Sequence, residues 1–200
     1  DQGLNTGGMG AVASRSLIDS ELLKQIESDV IEPSVEGLIK DNLDFKGFLY
    51  AGLMLTKDGP KVLEYNCRFG DPEAQAVLPL IKGDFAAYLM SGAKGELIDL
   101  LIDFDEGWSI CLVLASAGYP NSSRNEDLIN GLDLIQDARV YHAGTKKNSE
   151  GHYVTNGGRV LAVVGRGDTR ESAVEHSYKE AEKINFDGNQ RRSDIGRMHF

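Results

Sequence analysis

The stretch Val62-Leu63-Glu64-Tyr65-Asn66-Cys67-Arg68-Phe69-Gly70-Asp71-Pro72-Glu73 constrains this chain more than any other. It opens as an apolar strand and closes on charged and turn-forming residues. Side chains on a strand alternate faces, so Glu64, Asn66 and Arg68 project to one side wherever the strand runs that far. A carboxylate and an amide carbonyl are hard oxygen donors suited to Mg2+, and a fixed guanidinium suits phosphate oxygens. One reading is a metal–nucleotide phosphate site at a strand end. The other is the solvated face of a half-exposed edge strand, because polar alternation at period two serves both.

The neighbouring segments follow from local rules. Lys57-Asp58-Gly59-Pro60 is a turn sequence, which predicts a β-hairpin with arms 46–56 and 60–66. The first arm is apolar on both faces, which predicts central burial. It carries no Asp or Glu between Phe45 and Lys57. Gly70-Asp71-Pro72-Glu73 starts a helix, with Asp71 as N-cap and Pro72 in the first turn. A second helix follows Gly83-Asp84 and ends near Gly92. Upstream, residues 19–43 read as helix with Asp19 or Ser20 as cap. Pro33 predicts a kink or two consecutive helices, with a core-facing apolar stripe through Leu22, Leu23, Ile26, Val30, Val35, Leu38 and Ile39. Residues 3–10 are a glycine-rich loop whose N–H groups could face an anion, or an ordinary loop.

Composition shifts over residues 92–106, where Gly92 and Gly95 give way to Asp99, Asp103, Asp105 and Glu106. We therefore divide the 200 residues into domains 1–98 and 99–200, a length that suits two small domains. The second is β-rich, with strands at 109–116, 138–143 and 158–164 and an amphipathic helix over 169–184, before a basic, irregular tail. A net charge of −10 argues against broad nucleic-acid or membrane-surface binding, which requires basic patches. No apolar run approaches the ~20 residues needed to span a bilayer, and no secretory signal pattern is visible at the start. Two cysteines, Cys67 and Cys111, make neither a disulfide framework nor a zinc site and fit a reducing compartment. His142, His152, His176 and His199 do not cluster and read as structural or solvated.

Three stretches, in this order and separation, carry a resemblance: Asn5-Thr6-Gly7-Gly8-Met9-Gly10, Glu64 through Glu73, and His142-Ala143-Gly144-Thr145 with Thr155-Asn156-Gly157-Gly158-Arg159-Val160. Arg192-Ser193-Asp194-Ile195-Gly196 adds to them. Together they resemble the phosphoribosylamine–glycine ligases, also called glycinamide ribonucleotide synthetases, which are ATP-grasp enzymes of purine synthesis. The resemblance extends over essentially the whole chain.

It implies an α+β fold: the later lobe of an ATP-grasp domain, an antiparallel sheet with helices, in 1–98, then a small β-rich C-terminal domain in 99–200. It implies a cytoplasmic ligase joining glycine to 5-phosphoribosylamine, with ATP cleaved to ADP and phosphate through glycyl phosphate. Glu64 and Asn66 match the family's ligands for Mg2+ (or Mn2+), and Arg68 would stabilise the transferring phosphoryl group. Thr6, Gly7 and Gly8 match a loop near the substrates, where backbone N–H groups could hold the ribose phosphate. Asp71 could orient the glycine ammonium while capping its helix. Partners are then ATP, glycine and 5-phosphoribosylamine, with no nucleic acid and no membrane, and fusion to other purine-pathway domains is an open arrangement. Many ATP-grasp enzymes place a further acidic ligand on the preceding strand, where this chain has Leu53 and Leu55. The chain opens Asp1-Gln2-Gly3 and is expected to lack the earlier nucleotide-covering lobe, so these 200 residues alone are expected to be inactive. The alternatives are another ATP-grasp ligase or carboxylase of purine synthesis, or a non-catalytic fragment.

Overall fold

The computed structural model describes residues 3–97 and 102–197. In chain order the elements are β1 (Gly10–Ala13), α1 (Ser20–Ile26), a π-helical stretch (Glu27–Ile31), α2 (Glu32–Lys40), β2 (Tyr50–Thr56), β3 (Gly59–Asn66), α3 (Glu73–Val77), β4 (Ile81–Lys82) and α4 (Phe85–Lys94). They continue with β5 (Asp103–Phe104), β6 (Trp108–Ala115), β7 (Ala138–His142), β8 (Thr145–Lys147), β9 (Tyr153–Thr155), β10 (Arg159–Gly167) and α5 (Arg170–Ala181). This mixture of helices and antiparallel pairs is the α+β class expected. The expected cut at 98/99 lies outside the described residues. Two compact units interleave along the chain. The first takes its described residues from Asp1–Ser14, Asp71–Leu80 and Glu106–Phe200, and the second from Arg15–Gly70 and Ile81–Asp105.

The first unit is built on an antiparallel sheet of order β1-β6-β10-β7. β6 is buried from Ser109 to Ala115 because both faces are covered. Ile110, Leu112 and Leu114 join Val163 and Leu161 of β10 and Ala173, Val174, Tyr178 and Ala181 of α5 in one core. Strand alternation sends Cys111 and Val113 to the opposite face, the side of α3. Thr169 starts α5 through a reciprocal cap: its side chain accepts from the Ser172 N–H at 3.2 Å, and Ser172 Oγ accepts from the Thr169 N–H at 3.2 Å. Ser177 Oγ, buried between α5 and the sheet, accepts from the Gly165 N–H at 3.0 Å.

Glu180 on α5 is buried yet charged. Burial alone would raise its pKa, but bonds from Lys183 Nζ (2.6 Å) and the Gln136 N–H (2.9 Å) outweigh that and hold it below its ordinary 4.5. A depressed folded-state pKa gives a contribution that is complete above the ordinary carboxylate value and is lost as pH falls through the folded value. Melting temperature measured against pH should therefore drop more steeply below about pH 4.5 in the native protein than in Glu180→Gln. Parallel profiles would refute the assignment.

The second unit meets expectation in one place and departs from it in two. Two consecutive helices, α1 and α2, flank a π-helical stretch, and the second carries Val35, Leu38 and Ile39. Asp19 caps α1, accepting from the Glu21 and Leu22 N–H groups at 3.0 and 2.8 Å, and the helix continues through the π stretch into α2, where Pro33 sits in the first turn. The apolar stripe of 19–43 faces inward only in part, with Leu22, Ile26 and Leu38 half-buried. Val30 is buried, but Leu23, Ile31, Val35 and Ile39 are exposed, Ile39 to 70%. The first hairpin arm is not centrally buried either: Met54 and Leu55 are each 52% exposed. The helical segment packs on β3 through one side only, and the two-stranded sheet β2-β3 is too narrow to cover the remaining apolar side chains of the unit.

Candidate functional site

In the second unit, β3 carries Glu64 and Asn66 at its end. The pairing with β2 is irregular between Gly52 and Leu53: Leu53 pairs with Val62 while Gly52 pairs with Glu64, so β3 accommodates one extra residue. After it, Tyr65 lies opposite Ala51, and its hydroxyl sits 2.6 Å from Ser34 Oγ on α2. Alternation then places Glu64 and Asn66 together on the other face, where Asn66 Nδ2 donates to Glu64 Oε1 at 2.9 Å. A Cβ at residue 52 would lie 3.2 Å from Glu64 Cγ, so Gly52 makes room for the carboxylate. The pair offers Glu64 Oε2, from an exposed residue, and Asn66 Oδ1, from a half-buried one, as hard oxygen donors, which fits a divalent ion completed by nucleotide and water oxygens. Among the described residues, no group of three or more His, Cys, Asp and Glu could hold a metal.

Arg68 is not on that row. β3 ends at Asn66, and Arg68 Nη1 donates to the Phe69 carbonyl at 2.8 Å. Phe69 turns inward instead, with its ring centroid 3.8 Å from Phe48 and 6.4 Å from Phe85. The chain leaves the pleat to bury this aromatic cluster, which ends the alternation that would have aligned Arg68 with Glu64.

In the first unit, one residue ties the remaining candidates together. Arg159 opens β10 and its guanidinium reaches two distant segments. Nη1 donates to the Gly7 carbonyl at 2.7 Å and to the Asp71 carbonyl at 2.9 Å. Nη2 donates to Asp71 Oδ2 at 2.7 Å. Asp71 Oδ1 accepts from Gln75 Nε2 at 2.9 Å. Asp71 is therefore not the helix cap expected of it: the N-cap of α3 is Pro72, with no side-chain cap bond. A forked cation claims the carboxylate, and a charge-assisted pair outcompetes capping for it.

The glycine loop is also engaged. The Gly7 N–H donates to the Tyr119 hydroxyl at 2.9 Å, and the Gly8 N–H to Thr6 Oγ1 at 3.4 Å. These two amides, expected to face a phosphate, are bonded within the protein. The Tyr119 ring lies across Gly158, where a Cβ would come within 2.5 Å of Cδ2, so only glycine lets the ring reach the loop. Tyr119, Gln75 and Arg159 were absent from the residues singled out by sequence. Arg159 stood in a recognised motif, but nothing local links it to partners 152 and 88 residues away.

The histidines take structural places where described. His142 Nδ1 lies 2.9 Å from Thr145 Oγ1, its ring is tilted against Tyr153 at 4.6 Å, and burial lowers its pKa. His176 Nδ1 lies 2.7 Å from the Arg166 carbonyl. His199 lies outside the described residues.

Comparison with known proteins places these motifs in context. The model of the phosphoribosylglycinamide synthetase ATP-grasp (A) domain matches residues 1–74, and that of the phosphoribosylglycinamide synthetase C domain matches residues 109–198. A phosphoribosylamine–glycine ligase of Caldanaerobacter subterraneus subsp. tengcongensis is 47% identical over 195 residues, covering 98% of this chain and 46% of the relative. The trifunctional purine biosynthetic protein adenosine-3 of Chironomus tentans is 41% identical over 205 residues, covering all of this chain and 15% of the relative. The crystal structure of the Thermotoga maritima phosphoribosylamine–glycine ligase superposes with a TM-score of 0.83 at 35% identity, over 98% of this chain and 48% of that one. A biotin carboxylase domain of Hydrogenobacter thermophilus 2-oxoglutarate carboxylase, at TM-score 0.64 and 17% identity over 92% of this chain and 40% of that one, shares the fold. The chain spans about half the length of the single-activity relatives it matches.

Proposed function

The chain belongs to the phosphoribosylglycinamide synthetase family, and from that membership we propose that the protein carrying it is a phosphoribosylamine–glycine ligase, joining glycine to 5-phosphoribosylamine at the expense of ATP. The observation that carries the reading is the convergence on Arg159. It stands in the third family motif and binds the Gly7 carbonyl of the first and Asp71 of the second. The relation to ATP-grasp proteins supports the use of ATP and a divalent metal, and we assign Mg2+ (or Mn2+) to Glu64 and Asn66. Residues 1–98 are proposed as the later part of the ATP-grasp domain and 99–200 as the C domain.

The reaction follows from the balance of bonds. The glycine carboxylate attacks the γ-phosphorus of ATP, forming glycyl phosphate and releasing ADP. The amine of phosphoribosylamine then attacks the glycyl carbonyl, and phosphate leaves with its bonding pair. When bound, the metal would neutralise charge on the nucleotide phosphates. Arg68 is assigned to the phosphoryl oxygens, where a guanidinium donates two parallel bonds. Thr6, Gly7 and Gly8 form a substrate-side loop whose shape Tyr119 and Arg159 hold, and Asp71 faces glycine. Among the described residues no helix is long and apolar enough to cross a membrane, and we place the protein in the cytoplasm.

The test uses the full-length natural polypeptide. ADP release should require both glycine and phosphoribosylamine, and bicarbonate should not replace glycine. Release that needs bicarbonate would assign the site to a carboxylase, and release that needs neither would refute both.

A further inference from the structure

In the second unit, the direction in which Glu64 and Asn66 point depends on a single inserted residue. Val62 lies opposite Leu53 and Tyr65 opposite Ala51, so Val62 and Tyr65 share a face although an odd spacing separates them. Glu64 and Asn66 are sent to the other face. Without the insertion, the pairing that sets Val62 opposite Leu53 would run on to set Glu64 opposite Ala51. The carboxylate and Tyr65 would then exchange faces, because a slip of one residue turns a strand over. β2 and β3 pair only with each other, and two strands alone hold a register weakly.

One contact outside the hairpin tells the two registers apart. Ser34 Oγ on α2 donates to the Val30 carbonyl at 2.5 Å, and with its hydrogen committed there it accepts from the Tyr65 hydroxyl at 2.6 Å. The relay therefore runs from β3 to the backbone of the π-helical stretch, at its buried residue Val30. Tyr65 stands between Glu64 and Asn66 and is 47% exposed, so packing holds its ring only in part. In the slipped register Glu64 would turn towards α2 instead. A carboxylate only accepts, and Ser34 has no second hydrogen to offer it. The relay thus favours the register that turns the metal pair away from the helix. Bulges beside functional residues re-aim side chains in this way, and π-helical turns are frequent at such places.

We propose that Tyr65 is a positioning residue for the divalent metal: through Ser34 and the Val30 carbonyl it pins the register of β3 that presents Glu64 and Asn66 together. Its role rests on the reading of those two residues as metal ligands. Tyr65 itself touches neither metal nor nucleotide, and it acts by excluding the arrangement in which the carboxylate faces the helix.

The test uses the full-length natural polypeptide, with Mn2+ titrated calorimetrically in the presence of ADP and the amides of β3 followed by hydrogen exchange. Tyr65→Phe keeps the ring and loses the hydroxyl, so it should weaken Mn2+ binding about fivefold, the effect of one hydrogen bond, and speed exchange along β3. Ser34→Ala should do the same, and it carries the comparison if Tyr65→Phe does not fold. The double variant should lose no more than either single one, because both break one relay. Ser34→Thr keeps a hydroxyl at the same place and should bind Mn2+ within about twofold of native. The glycine KM should stay within about twofold in all of them, since the relay orients only the metal pair. Glu64→Ala serves as the reference for loss of the metal. Native-like Mn2+ binding in Tyr65→Phe, with binding lost in Glu64→Ala, overturns the positioning role and leaves the metal assignment standing. Losses that multiply in the double variant overturn the relay. Faster β3 exchange in Tyr65→Phe, with Mn2+ binding unchanged in Glu64→Ala, keeps the register pin and removes the metal from this pair.

Discussion

Glu64→Ala in the full-length natural polypeptide should lower the rate of ATP cleavage by about a thousandfold while the protein stays folded. The reasoning is electrostatic. Glu64 is the one carboxylate of the proposed metal pair, and Asn66 beside it is neutral. Removing the charge leaves a neutral amide to hold a doubly charged ion against solvent. The loss of charge stabilisation in phosphoryl transfer amounts to several kcal/mol, and about 4 kcal/mol corresponds to a factor of about a thousand. Folding should hardly change, because Glu64 is exposed and its hydrogen-bond partner is Asn66 on the same strand. Exposed polar truncations of this kind stay within about 0.5 kcal/mol. Activity within tenfold of native, at unchanged melting temperature, would remove Glu64 from the metal site.

Arg159→Met should cost both stability and activity. It leaves the carbonyls of Gly7 and Asp71 and the Asp71 Oδ2 without the donors that now satisfy them. Hydrogen bonds to a charged group contribute about 1.5–3 kcal/mol, so losing this cluster should destabilise the fold by roughly 2–4 kcal/mol. The Gly7 amide, which bonds to Tyr119, should exchange its hydrogen faster as the loop loses its second anchor. Arg159→Lys should not restore the loop, because an ammonium cannot fork between two carbonyls and a carboxylate. Native-like melting and exchange in Arg159→Met would show that the loop holds itself.

The two variants probe features that differ in how they could be read. Glu64 and Asn66 stand two apart on a strand announced by a turn sequence, and their hydrogen bond follows from alternation alone. Asp19, Asp84 and Thr169 cap their helices as their types dictate. The buried run of β6 and the amphipathic α5 fall where composition and period placed them. Arg68 joined the row only on the condition that the strand reached it, and β3 ends at Asn66, before Phe69 packs on Phe48. Asp71 was misread because a capping preference of about 1 kcal/mol yields to a charge-assisted fork arriving from far along the chain. The apolar stripes of α1 and α2 and of the hairpin were read as core because periodicity records which side is apolar and carries no information about what covers it.

The sequence alone determined the helices capped by Asp19, Asp84 and Thr169, the turn of the β2-β3 hairpin and the Glu-x-Asn pair, because each depends on residues within a few positions of one another. The tertiary structure alone decided that Arg159, Asp71, Gln75, Gly7 and Tyr119 form one connected group. Their partners lie 88, 112 and 152 residues apart, and no local propensity encodes such a meeting. It arises because β1, β6 and β10 share a sheet with α3 against one face, bringing the start of the chain, its middle and the first residue of β10 to one place.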